Sequence, residues 1–266
     1  MKLAFSTIGC PSWDFNSVLS TAKDFGYNGI EIRGIEGEMY APNIKVFDKN
    51  NKVKTLSKLK ELNIEISCLT SAISIALNKD VDNIISMGKA YIDLAASLGV
   101  KYVRFMPSPV PYKDGGDIAL AKNIYLMFAM YGKALGVTPL VETNGMFADT
   151  LLLKDFIESI PEDNKGVLWD INHPYRYNSE SVDTTIANIG EYIKYVHIKD
   201  SKMVDSRVKY KLMGQGDLPI LECVQKLKSI KYDGYLSLEW VKLWEKDLEE
   251  PGIIIPIYAD FMKNII

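Results

Sequence analysis

Short apolar runs alternate with longer amphipathic stretches along the whole chain. Runs at 3–6, 29–33, 64–70, 101–106, 140–142, 167–170, 195–198 and 235–239 have the length and apolar character of buried strands. Between them, apolar residues recur at helical spacing: Val18, Leu19, Ala22 and Phe25, then Leu56, Leu59 and Leu62, then Ile84, Ile85, Ile92, Ala95 and Leu98. Further helices are predicted over 118–135, 150–159, 181–189 and 221–230, with a last one from residue 253. The polar segments 9–12, 34–52, 114–116 and 201–217 read as loops. The joint from helix to strand recurs at 25–32, 98–105, 135–142 and 232–239, usually with Gly just after the helix, where a left-handed residue can end it.

Eight strands alternating with helices imply parallel pairing and right-handed crossovers. At 266 residues the expected α/β fold is a (β/α)8 barrel, a single TIM-barrel domain over 1–266. An open parallel sheet is the alternative. The absence of a GxGxxG after the first strand counts against a dinucleotide-binding version of that sheet.

Charge and cysteine content narrow the picture. Lys plus Arg is 31 and Asp plus Glu is 34, a net charge of −3, which gives no electrostatic case for nucleic acid. Cys10, Cys68 and Cys223 are few and widely spaced, as in a reducing compartment. The N-terminus turns polar too early for a secretory signal, and no run approaches the roughly 18 apolar residues of a membrane span. A cytoplasmic protein is expected.

Acids and one imidazole mark the ends of the last four strands. Glu142, Asp170, His197 and Glu239 stand near the C-terminal ends of strands five to eight, where barrels of this class place their active sites. Three ionised carboxylates cannot crowd together without a compensating cation. One divalent metal held by these four residues resolves the repulsion; mixed oxygen and imidazole ligation suits Mn, Zn, Co or Fe better than Mg. The plainer reading is that each acid caps a helix or pairs with a base.

These motifs resemble the xylose-isomerase-like barrels, the group of sugar isomerases and epimerases, inosose dehydratases and endonuclease IV. The resemblance covers nearly the whole chain and is carried by VETN (Glu142), WDINH (Asp170, His173), HIKD (His197), GQGDLP (214–219) and SLEW (Glu239). It implies that Glu142, Asp170, His197 and Glu239 bind one divalent metal, and that His173 contacts substrate or a second metal. With only two histidines in the chain, a trinuclear zinc site of the endonuclease kind is not expected.

The implied chemistry is proton removal beside a carbonyl, through an enediolate, with Glu142 and Glu239 exchanging the proton. His173 reads as a substrate contact or as a structural turn residue. Lys199 reads as a partner for enolate or acidic substrate, or as a solvated loop lysine. Arg104 or Arg33 could bind a substrate anion, although pairing with Glu31 inside the barrel is the stronger expectation. Trp13 is a candidate pocket wall. The substrate expected is a small sugar or polyol, and association with further copies would use helices or long loops. Two alternatives stand beside the isomerase: a metal-dependent dehydratase of a cyclic polyol ketone, and a non-catalytic sugar-binding barrel.

Overall fold

The computed structural model describes residues 1–111 and 115–266. Eight strands are β1 (Lys2–Ser6), β2 (Gly29–Ile32), β3 (Glu65–Ser74), β4 (Tyr102–Met106), β5 (Thr138–Glu142), β6 (Gly166–Asp170), β7 (Ile193–Ile198) and β10 (Tyr235–Leu238). They follow one another as β1-β10-β7-β6-β5-β4-β3-β2 and close into a barrel. Helices α1 (Phe15–Asp24), α2 (Lys52–Leu62), α3 (Val81–Leu98), α4 (Ile118–Leu135), α5 (Thr150–Glu158), α6 (Asn172–Tyr177), α7 (Val182–Ile189), α8 (Ile220–Ser229) and α9 (Pro251–Lys263) lie between and after the strands in sequence.

The chain divides into two compact units, residues 1–69 with 197–266, and residues 70–196. In the first, β1 pairs in parallel with both β2 and β10, and β2 pairs with β3 through a register shift between Ile30 and Glu31. In the second, β4 pairs with β5 and β5 with β6, both parallel and in regular register. These strands are apolar runs because both of their faces are covered, as parallel sheets require.

Local chemistry sets the helix ends. Asp14 and Asp117 accept the backbone N–H of Ser17 and Leu120, and Asp149 accepts those of Leu151 and Leu152, so each caps its helix. At the other end of α3 and α4, Gly99 and Gly136 take left-handed φ values of 70° and 71°. The carbonyls of those last turns are thereby closed off before β4 and β5 begin.

Two expected loops differ. The stretch 34–52 contains two short 3-10 turns, Ala41–Asn43 and Lys45–Phe47, and α2 already starts at Lys52. The stretch 201–217 is no continuous loop. Its first half is an antiparallel hairpin of β8 (Asp200–Val204) and β9 (Arg207–Lys211). Asp205 and Ser206 turn it with φ of 48° and 60°, the two positive values a two-residue hairpin turn demands. The loop expected at 114–116 begins at Asp114, outside the described residues. Among the described residues no helix is long and apolar enough to cross a membrane.

Candidate metal centre

β5 and β6 end on Glu142 and Asp170, His197 is the next-to-last residue of β7, and Glu239 directly follows β10. All four are buried. One ligand atom from each lies within 4.8 Å of the others. The sequence-predicted set is therefore brought together.

Within 70–196, Glu142 is flanked by two bases. Its Oε2 lies 3.1 Å from Nε of Arg104, an ion pair buried on both sides, and among the described residues that oxygen accepts no hydrogen bond. Nη1 of Arg104 donates to the Ser71 carbonyl at 2.8 Å. The strand-four arginine that the sequence offered to Glu31 is thus found on Glu142. Oε1 of Glu142 lies 3.5 Å from Nδ1 of His173, which bonds the Thr143 carbonyl at 3.0 Å. Nε2 of His173 faces Oδ2 of Asp170 at 3.6 Å. The other oxygen of Asp170 accepts the N–H of Asn172 at 2.9 Å, so the start of α6 fixes this carboxylate. His173 sits on α6 beside Pro174, so the turn position expected for it and its closeness to the acids hold together.

Residues 1–69 and 197–266 supply the other acids. Nδ1 of His197 lies 3.4 Å from Oε1 of Glu239, and Nζ of Lys199 contacts Oε2 of Glu239. Lys199 is 1 % exposed, which removes the reading of a solvated loop lysine. Nζ also lies 5.9 Å from the ring centre of Tyr210 on β9. Nε2 of His197 bonds Oε2 of Glu31 at 2.9 Å. Burial alone would raise the carboxyl pKa of Glu31, but in the metal-free protein the hydrogen bond from His197 and the charge of its protonated ring outweigh it and hold it below its usual range.

Asp200 explains the GQGDLP motif. Its carboxylate accepts the N–H groups of Ser201, Gly214, Gly216 and Leu218 at 2.8, 2.9, 2.8 and 3.4 Å. A Cβ on Gly216 would stand 1.7 Å from Oδ1 of Asp200, so only glycine admits this approach. Burial pushes the Asp200 carboxyl above its usual range against those four donors.

Trp13 is half-buried in the segment between β1 and α1, and its described hydrogen bonds, to the Cys10 carbonyl and from the Glu36 N–H, are made by its backbone. Sequence reasoning missed His197 as the partner of Glu31, and missed Asp200 as a latch. An acid between Ile30 and Ile32 in a four-residue buried strand was the signal for the first.

The donor set fits a divalent cation. Glu142, Asp170 and Glu239 are three buried acids of one group, and Arg104 and Lys199 each contact one of them. A divalent ion relieves the repulsion among the three carboxylates. Three carboxylates and one imidazole are suitable first-row metal ligands.

A sequence model of the family described as xylose isomerase-like TIM barrel matches residues 19–253. Fructoselysine 3-epimerase of Shigella flexneri is 21% identical over 266 residues, covering 95% of this chain and 94% of that protein. An uncharacterized protein of Methanocaldococcus jannaschii is 30% identical over 111 residues, and this match spans 41% of the chain and 37% of that protein. Among solved structures, the IolI protein with a bound zinc atom superposes with a TM-score of 0.82 at 17% identity, covering 100% of this chain and 99% of that one. The probable 3-DHS dehydratase AsbF of Bacillus anthracis superposes at 0.79 with 18% identity and 99% coverage of both chains. At these identities the structural likeness is one of fold.

Proposed function

We propose that this chain, which belongs to the xylose isomerase-like TIM barrel family, is a divalent-metal-dependent isomerase or epimerase of a small sugar or sugar phosphate. The observation that carries the reading is the buried group of Glu142, Asp170, His197 and Glu239. The epimerase relative, matched over nearly its full length, supports it. A bound divalent ion would supply Lewis-acid stabilisation of the charge that develops on substrate oxygens.

The chain's own residues do the rest. Glu142 and Glu239 exchange the proton beside the carbonyl, one taking it and the other returning it. Arg104 and Lys199 each place a buried cation on one oxygen of these carboxylates. Their other oxygens, which face His173 and His197, are the candidates for ligation or proton transfer. Nε2 of His173 is the candidate contact for a substrate hydroxyl, and Trp13 the candidate for a pocket wall. Enclosure of the site keeps bulk water from the enediolate.

Dehydration is the second reading, favoured by the likeness to the dehydratase fold. It begins with the same proton removal and differs in the loss of the neighbouring hydroxyl. A screen of ketoses and cyclic polyol ketones with Mn(II) or Co(II) in deuterated water tests both. Substrate-dependent deuterium incorporation is expected, lowered about 10²–10⁴-fold by Glu142→Gln and by Glu239→Gln. An enone absorbing in the ultraviolet identifies the lyase instead. Labelling at the wild-type rate in both variants would refute the proton-transfer assignment.

A further inference from the structure

Glu31 lies within a strand whose four residues are all buried, and its side chain is fully enclosed. A carboxylate there is costly unless its oxygens are bonded. Its Oε2 accepts from Nε2 of His197 at 2.9 Å and from Oγ of Ser237 at 2.8 Å. In the strand order β1 and β10 stand between β2 and β7, so the bond to His197 spans the barrel interior and skips the neighbouring strands.

A carboxylate can only accept, so the proton of this bond belongs to Nε2 of His197. When the ring is neutral the lone pair is then on Nδ1, and Nδ1 faces Oε1 of Glu239 at 3.4 Å. Two electron-rich atoms facing each other in a dry site call for positive charge between them: a proton on Nδ1 while the site holds no metal, and the metal ion once it is bound. His173 is held the other way: its Nδ1 meets the Thr143 carbonyl, also acceptor-only, which leaves the lone pair on Nε2.

We propose that Glu31 is a positioning residue that fixes His197 in the Nε2–H tautomer, so that Nδ1 is its metal-ligating atom. This rests on the metal reading above. A carboxylate behind a ligating imidazole orients the ring and raises its basicity. Glu31 acts through His197 and touches no reacting atom.

The tautomer is read directly. The chain has two histidines, so long-range ¹H–¹⁵N correlation of the zinc-loaded protein gives two imidazole patterns, assigned with His173→Gln. His197 is expected to carry its proton on Nε2 with Nδ1 shifted by zinc. A proton on Nδ1 would overturn the proposal, and this measurement needs no Glu31 variant to fold.

Zinc titration provides the second readout. Glu31→Ala is expected to weaken binding about 10–100-fold, and Glu31→Gln, which keeps a carbonyl acceptor, to restore most of it. Equal affinity in wild type and Glu31→Ala, or no recovery in Glu31→Gln, would overturn the positioning role alone. Absence of zinc uptake by the wild type would sink the metal reading and this proposal with it.

Discussion

Glu142, at the end of β5, faces Nε of Arg104 with one oxygen and Nδ1 of His173 with the other; Glu239, after β10, faces Lys199 and Nδ1 of His197 in the same pattern. The supports behind the imidazoles differ. A backbone carbonyl holds His173 and takes the proton of its Nδ1, with Glu142 3.5 Å from the same nitrogen. A carboxylate holds His197 and puts its lone pair on Nδ1, toward Glu239. Two contacts of nearly equal length therefore have opposite electrostatic character. The lone pair of His173 falls instead on Nε2, 3.6 Å from Oδ2 of Asp170. Which group stands behind the ring decides what the ring can do in front.

The cations differ as well. Arg104 bonds the Ser71 carbonyl while it faces Glu142, and a planar guanidinium does both at once. Lys199 is a point charge beside Tyr210. Removing Arg104 leaves Glu142 as an uncompensated buried charge, so Arg104→Leu is expected to cost about 3–5 kcal/mol in denaturant unfolding of the metal-free protein. Arg104→Lys should recover little of this. Added zinc should recover much of it, because the ion replaces the missing charge. A variant as stable as wild type would place no ionised carboxylate at Glu142.

Asp200→Asn separates the latch from the metal group. It weakens four N–H bonds to a charged acceptor, and a loss of about 1.5–3 kcal/mol is expected in the same assay. Zinc should return none of it. Full recovery by zinc would tie Asp200 to the metal and break the distinction.

Much of this was legible in the chain. Apolar runs closed by Gly, Pro or polar residues marked all eight barrel strands, because parallel strands are covered on both faces. Glu142, Asp170, His197 and Glu239 stood out because each ends such a run. The hairpin was not legible: Asp205 and Ser206 adopt positive φ without the Gly that usually announces such a turn. Glu31 was visible as an acid needing a partner. Its partner lies 166 residues away, and an arginine two positions along the chain was the more obvious choice. Local pattern shows that a buried charge must be satisfied, but only the closed strand order says by what.

The central claim is that the strand-end acids and His197 hold one divalent ion. Calorimetric titration of chelator-treated protein with zinc tests it, with Glu239→Ala alongside. One zinc per chain in the wild type, and binding abolished or strongly weakened in Glu239→Ala, is the predicted result. No uptake by the wild type, or equal uptake by the variant, would contradict it.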